Sequence, residues 1–534
     1  MPGPLSLFRS LDRLLHAAGR ISPGRALALA AVLPLALRLV LLPVFPRPLP
    51  EVHDEFSYLL LADTFAHGRL ANPSPPLPEF FETFHVLVRP VYASMYAVGQ
   101  GAVLAAGRLL FGHPWWGVVL SVGLMCGAVC WLLQAFVGRR WALFGGLSFS
   151  LLFGVEHAFM NSYWGGALPA AAGAALAGAT ARLVLSRGAP RHPVGLGLLV
   201  GASAGTLLNT RPWEGFWAAL PAAVLLAVWL VRSPWGTLRG RLLRVALPAL
   251  APLALAAAFL LVYNTRVTGA PFQTPYLLSL RTHYVAPLFV WEKERPAPAY
   301  NHEVMRRFYV DWRESERDIR LKADLRNPLR GLGLWIREYK IVSGAVLALA
   351  VLAVLVRDRK TAVLALLVGV FLTGLSLQQV QQMHYLAPGL GVLSTAIVFG
   401  IRALAALPVR GRRPGRLLPL LLVATAAVGL AKNTVLTLTE EGGHWGARRE
   451  AILSSFDAEP GKHLVFVRYA ASHDIGREWV YNGAELDAEK VLFVRDISPE
   501  ANRRLLAFYQ DRRAWLFRPD ESDRLAPWPS DPAR

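Results

Sequence analysis

The sequence predicts an all-α polytopic membrane protein with a small α/β unit at its C-terminal end. Three observations carry this reading. Of 534 residues, 54% are hydrophobic and only 17% charged, against about 25% charged in soluble domains, and the mean hydropathy is +0.37. The apolar residues gather into runs of roughly bilayer-crossing length. From about residue 437 the pattern changes to short apolar runs of strand length. The formal charge of +20 would suit a nucleic-acid partner in a soluble protein. Here the arginines stand in short clusters between apolar runs, as orientation in a membrane requires, so no nucleic acid is expected.

Twelve apolar runs lie near 26–45, 91–111, 115–137, 141–157, 167–186, 194–210, 215–232, 244–263, 340–356, 361–378, 386–405 and 416–436. Arg9, Arg13, Arg20 and Arg25 precede the first. That run is too long for a signal-peptide core and no small-residue cleavage site follows it, so it reads as a retained span with its N-terminus in the cytoplasm. Twelve crossings would put the later clusters outside: Arg139/Arg140, Arg187/Arg191, Arg232/Arg239/Arg241/Arg244, Arg357/Arg359/Lys360 and Arg410/Arg412/Arg413/Arg416. Removing one crossing between 46 and 138 returns every cluster to the cytoplasmic face. The weakest run is 91–111, which holds Gln100, Arg108 and three glycines; it reads as a surface or re-entrant helix. Eleven transmembrane helices follow, N-terminus in and C-terminus out.

The outside segments are then 46–114, 157–166, 209–215, 264–339, 378–385 and the tail. The first contains EVHDEFSYLLLADTFAHGRL, residues 51–70, read as an amphipathic helix on a surface. Phe56, Leu59, Leu60, Ala66 and Leu70 form its apolar face, Asp63, His67 and Arg69 stay polar, and Gly68 stops it. Its adjacent acids, Asp54 and Glu55, suggest chemistry, although Asp54 could instead cap the helix. Cys126 and Cys130 share one apolar run and read as packing residues, not a disulfide or metal framework. No internal repeat is evident. Residues 1–436 form the membrane domain and 437–534 a soluble extracytoplasmic one, in which HLVFVRYA, KVLFVRDI and RAWLFRPD read as strands and ANRRLLAFYQDR as a helix.

Several segments resemble the GT-C superfamily of integral-membrane glycosyltransferases, most closely the protein O-mannosyltransferase and aminoarabinose-transferase type. They are HDEFSYLLLAD, FETFHVLVRPVY, FGHPWW and HYLAPGLGVL, in that order over about residues 20 to 400. The resemblance implies a sugar donor on polyprenyl phosphate, a lipid, glycan or protein acceptor, and a site on the outer face of the plasma membrane. It implies a general base at Asp54, with Glu55 beside it. It places Arg89 at the position of the basic residue before proline that binds the donor phosphate, and His384 and Tyr385 at a second basic-tyrosine element. Metal-using relatives carry a further acid where this chain reads SYWGGA, so no metal and no cofactor is expected. Glu156 and His157 end the third span and could bind substrate or pair with each other. Arg211 and Trp213 in NTRPWEG offer a cation and a stacking platform, or an interfacial turn. Arg266, Arg281, His283 and Tyr284 belong to the long loop 264–339, which could cover the first loop or remain solvated. Two other classes stay open. A transporter should place ionisable residues at the bilayer midplane in broken helices; a glycan-binding protein on the same scaffold should bind donor without turnover.

Overall fold

The computed structural model describes residues 16–186, 188–312, 340–379, 382–408, 414–439 and 445–529. Its helices are α1 (Pro23–Val40), α2 (His53–Ala66), α3 (Val98–Phe111), α4 (Trp115–Phe136), α5 (Arg139–Phe153), α6 (Ala167–Val184), α7 (Pro193–Leu208), α8 (Pro212–Arg232), α9 (Leu238–Thr268), α10 (Pro275–His283), α11 (Glu303–Arg306), α12 (Lys340–Leu355), α13 (Arg359–Ser376), α14 (Leu390–Ala405), α15 (Leu418–Thr439), α16 (Trp445–Ser455) and α17 (Pro499–Phe508). Among the described residues, eight helices are long and apolar enough to cross a membrane: α1, α4, α6, α8, α9, α13, α14 with its 3-10 lead-in from Met383, and α15. The remaining three runs expected to span are the shorter α5, α7 and α12, of 15, 16 and 16 residues.

The bundle is held by close backbone approach. The alanine-rich α6 packs along α4, and α7 along α9. On α7, Gly197, Gly201 and Gly205 face α9, and a Cβ at Gly201 would stand 1.8 Å from the Ala249 carbonyl. Small residues at this spacing let two membrane helices touch without a hydrophobic drive between them.

Residues 91–111 are not one helix. The short strands β1 (Val86–Leu87) and β2 (Ala93–Ser94) form an antiparallel hairpin, and α3 follows with only 14 residues. At 1.5 Å per residue that is about 21 Å, short of a hydrocarbon core of about 30 Å. α3 lies between α2 and α4.

The C-terminal strands fall where the apolar runs place them: β3 (Lys462–Val467), β4 (Val491–Arg495) and β5 (Arg512–Phe517), joined by β6 (Leu525–Pro527), which the sequence reading omits. The order is β4-β3-β5-β6, with β3 parallel to both neighbours and β6 antiparallel at the edge. α17, capped by the Ser498 hydroxyl on Ala501 N–H at 3.2 Å, carries the chain from β4 across to β5.

Two expectations need correction. α2 does not lie on a surface: Glu55, Phe56, Ser57, Tyr58, Leu60, Leu61, Ala62 and Thr64 are all buried. Nor is the C-terminal unit closed on itself. Phe56 and Leu60 of α2 share one core with Phe80, Val86 and Tyr92 of the first loop and Leu464, Phe466, Leu492, Val494 and Leu505 of the sheet unit. α2 is therefore a middle layer, with the bundle below and the sheet above. The polar edge that suggested water, Asp63, serves this sandwich. It pairs with Arg108 of α3 and accepts the Ala484 N–H at 2.7 Å. Gly68, at φ +71°, ends the helix region as its position suggests.

Candidate active site

The α2 N-terminus is closed by Glu55, not Asp54. One Glu55 oxygen accepts the N–H groups of Glu51 (2.8 Å) and Val52 (3.0 Å). The other accepts Tyr163 N–H at 2.8 Å, tying α2 to the loop 157–166. This is the acid of a capping box. Buried with both oxygens occupied, Glu55 holds the scaffold; the structure does not give it access to substrate. Burial is the main influence on its carboxyl, pushing it up to about 7 despite the three backbone donors. Because the folded value lies above the unfolded one, this group's stability contribution is full below about pH 4.5 and is lost as pH rises to about 7. The loss is on the order of 3 kcal/mol. Thermal unfolding in nanodiscs between pH 5 and 8 should show this fall, and Glu55→Gln should flatten it; an unchanged slope in the variant would refute the assignment.

With Glu55 doing the capping, Asp54 is released from it. Its side chain is 32% exposed. One oxygen accepts the Tyr96 hydroxyl at 2.5 Å, and the other lies 3.9 Å from Nε2 of His85. Tyr96 stacks on Tyr58 with ring centroids 4.5 Å apart. Burial, then the neighbouring Asp54 charge, hold the Tyr96 hydroxyl protonated well above its usual range, so it remains a donor to the carboxylate.

His85 sits at φ +63°, a left-handed conformation that ordinary side chains avoid. Several bonds hold it there: its carbonyl accepts the Ser57 hydroxyl at 2.7 Å and Met95 N–H at 3.1 Å, and its own N–H donates to the Tyr309 hydroxyl at 3.2 Å. The ring's Nδ1 pairs with the Tyr284 hydroxyl at 3.2 Å. Strain kept by this many partners belongs to positions where geometry matters.

Near Tyr58 stands Arg211, the residue before α8. Its guanidinium lies over the Tyr385 ring at 5.2 Å, and Tyr58, Tyr96 and Glu214 are its other electrostatic neighbours. Glu214 is itself held by Gln378 at 3.2 Å. His384, between Tyr385 and Trp164 by ring contact, feels the charges of both Arg211 and Asp54. Around Tyr58 and His384 are thus gathered Asp54, Arg211, Tyr385 and, through His85, Tyr284.

The other sequence candidates lie elsewhere. Arg89 is exposed in the hairpin turn, before a cis proline, and its charge bears on Glu82. Glu156 accepts the Thr434 hydroxyl of α15, and His157 accepts Phe159 N–H at 3.2 Å, so the two do not pair with each other. Trp213 donates its indole N–H to the Gly374 carbonyl and meets the Phe289 and Trp291 rings at a tilt. Arg281 is exposed. His283 stacks on Tyr309, and burial lowers its pKa to about 4. The long loop does cover the first one: Leu280, Tyr284, Met305, Phe308 and Tyr309 pack against Phe84 and Met95. Its residues 313–339 lie outside the described ones.

Of the acids near Asp54, Glu55 accepts backbone N–H groups and Glu214 accepts from Gln378. Among the described residues no group of three or more His, Cys, Asp or Glu could hold a metal.

No protein-family model matches the chain, and no curated protein matches its sequence. Solved structures do. ArnT from Cupriavidus metallidurans in the apo state superposes with a TM-score of 0.51 at 17% identity, over 92% of this chain and 93% of that one. The oligosaccharyltransferase of Archaeoglobus fulgidus, in complex with zinc and sulfate, gives 0.52 at 11% identity, over 92% of this chain and 67% of that one. The chain has the GT-C fold. In this GT-C scaffold the buried first-loop helix, the covering long loop and the late span that opens with His384 and Tyr385 converge near Asp54.

Sequence reasoning misses Tyr58, Tyr96 and His85. Tyr58 follows Asp54 by one helical turn, a spacing that puts both on one face. His85 and Tyr96 leave no such trace, because a hairpin brings them to α2.

Proposed function

We propose that the protein is an inverting glycosyltransferase that moves a sugar from a polyprenyl-phosphate donor to a lipid, glycan or protein acceptor at the outer face of the plasma membrane. The observation that carries this is that a partly exposed carboxylate, Asp54, and a guanidinium, Arg211, both act on the same two rings, Tyr58 and His384. The order of GT-C-like motifs and the GT-C fold support the reaction class, and the basic clusters at the opposite bundle end support the orientation.

An acceptor hydroxyl is a weak nucleophile, so a carboxylate must take its proton as oxygen attacks the anomeric carbon. Asp54 accepts that proton. The bond from the anomeric carbon to the phosphate oxygen breaks with its electron pair on the phosphate. Arg211 meets the leaving phosphate with paired N–H donors, assisted by the Tyr385 hydroxyl. One displacement inverts the anomeric centre. Tyr96 and His85 keep the carboxylate aimed. Arg89 takes no part in this arrangement, and Arg211 assumes the phosphate role that the resemblance gives it.

The test is transfer itself. Nanodiscs containing the protein and membranes as a source of acceptors are given labelled polyprenyl-phosphate sugars. Label should pass to a lipid, glycan or protein fraction with release of polyprenyl phosphate. Persistent donor binding without turnover across a donor panel would favour the glycan-binding alternative instead.

A further inference from the structure

We propose that the bundle end opposite Asp54 carries a second site, one that binds the phosphate of an anionic lipid headgroup. The place is a groove of about 430 Å³ lined by Arg139, Arg140, Arg402, Trp141, Gly138 and His16. It lies where α4 ends, α5 begins and α14 reaches its last turn. Asp54 and His384 mark the other end of the same helices: α14 starts just after His384, while α4 starts at Trp115, whose indole N–H meets the Met160 carbonyl in the outer loop.

The groove is built around positive charge. Arg139 and Arg140 come from α5 and Arg402 from α14. Among the described residues none of the three has an ion pair with a carboxylate. A fourth cation, Lys360, stands close enough to Arg402 to feel its charge, and donates to the Phe136 carbonyl at 3.0 Å. The acid on that turn, Asp358, is occupied in capping α13, accepting Thr361 N–H at 2.8 Å and its hydroxyl at 3.0 Å. Like charges gathered from separate elements repel, and a bound anion relieves the repulsion.

The start of α5 reinforces this. Its N-cap is Gly138, which has no side chain to satisfy the first-turn N–H groups. Those groups open beside the arginines, and a helix start favours phosphate. Arginines that only snorkel reach water one by one along a helix; these converge from two helices on one concavity. Trp141, an indole at that level, suits a lipid headgroup over a free ion.

Native mass spectrometry on protein released from nanodiscs of mixed phosphatidylglycerol and phosphatidylcholine tests the site. The wild-type chain should retain phosphatidylglycerol preferentially. Arg139→Gln, Arg140→Gln and Arg402→Gln should each reduce the preference roughly fivefold. The control is Arg232→Gln/Arg239→Gln/Arg244→Gln, which removes three exposed cations elsewhere and should leave the preference intact. Equal loss in the control would reduce the effect to bulk surface charge and overturn the proposal. Displacement of phosphatidylglycerol by inorganic phosphate alone would overturn the lipid assignment in favour of a free anion. Should any of these variants fail to fold, a salt titration of the wild type decides it, because retention that ignores salt contradicts a phosphate–arginine contact.

Discussion

Replacing Asp54 with asparagine is expected to lower sugar transfer by about 10²–10⁴-fold, the usual contribution of a positioned general base. Asparagine keeps the size and can still accept the Tyr96 hydroxyl, now 2.5 Å from the carboxylate. It cannot take the proton. Donor binding, measured by retention of a labelled polyprenyl-phosphate sugar, should survive, because the proposed mechanism gives the phosphate end to Arg211 and Tyr385. Tyr96→Phe, which keeps the stacking on Tyr58 and loses the hydroxyl, should cost far less, since it affects only the aim of the carboxylate. Transfer undiminished in Asp54→Asn would remove the base from this residue, and the mechanism with it.

The second large effect lies above the site. Glu478 is fully buried and accepts an Arg495 N–H at 2.8 Å, the Tyr469 hydroxyl at 2.5 Å and Val480 N–H at 2.8 Å. Burial alone would raise its carboxyl, but the Arg495 guanidinium holds it below the usual value. Arg495 also donates to the Glu82 carbonyl at 2.9 and 2.8 Å, three residues before His85. Glu478→Ala leaves a buried guanidinium without its counter-charge, a loss of about 3–5 kcal/mol. The variant should melt earlier, and amide exchange should quicken in residues 82–85. With the folded value depressed, the wild-type contribution is present above about pH 4.5 and lost as pH falls through the folded value. A variant that melts with wild type and exchanges no faster would show that the pair does not support the loop.

Periodicity made the helices legible because a membrane imposes length and composition on each run separately, and the strands of the last unit because β4 is an apolar run buried throughout and β3 and β5 each end in one. For residues 91–111 charge balance argued against a span, and the structure has a short strand and a 14-residue helix there. α2 was misread for a specific reason. Its hydrophobic pattern covers one face, and a helix buried between two layers carries polar residues, such as Asp63, that look solvated until their partner Ala484 is known. In the site, the acid pair was visible, but not which member would cap. That depends on Tyr163 N–H arriving from another loop. Arg211 was visible as a cation, whereas its position against Asp54 comes from tertiary contacts that no local spacing records.

The shared core of α2 and the sheet unit has a consequence in time. Asp63 and Ala484 are bonded across 421 residues, so the helix that presents Asp54 is made well before its cover. Until that cover arrives, Phe56 lacks the Tyr481 ring that stacks on it at 4.3 Å. A nascent chain can insert its helices with the site still unformed. Long-range closure of this kind is the slow step of folding, and here it doubles as a delay before the carboxylate is set in place.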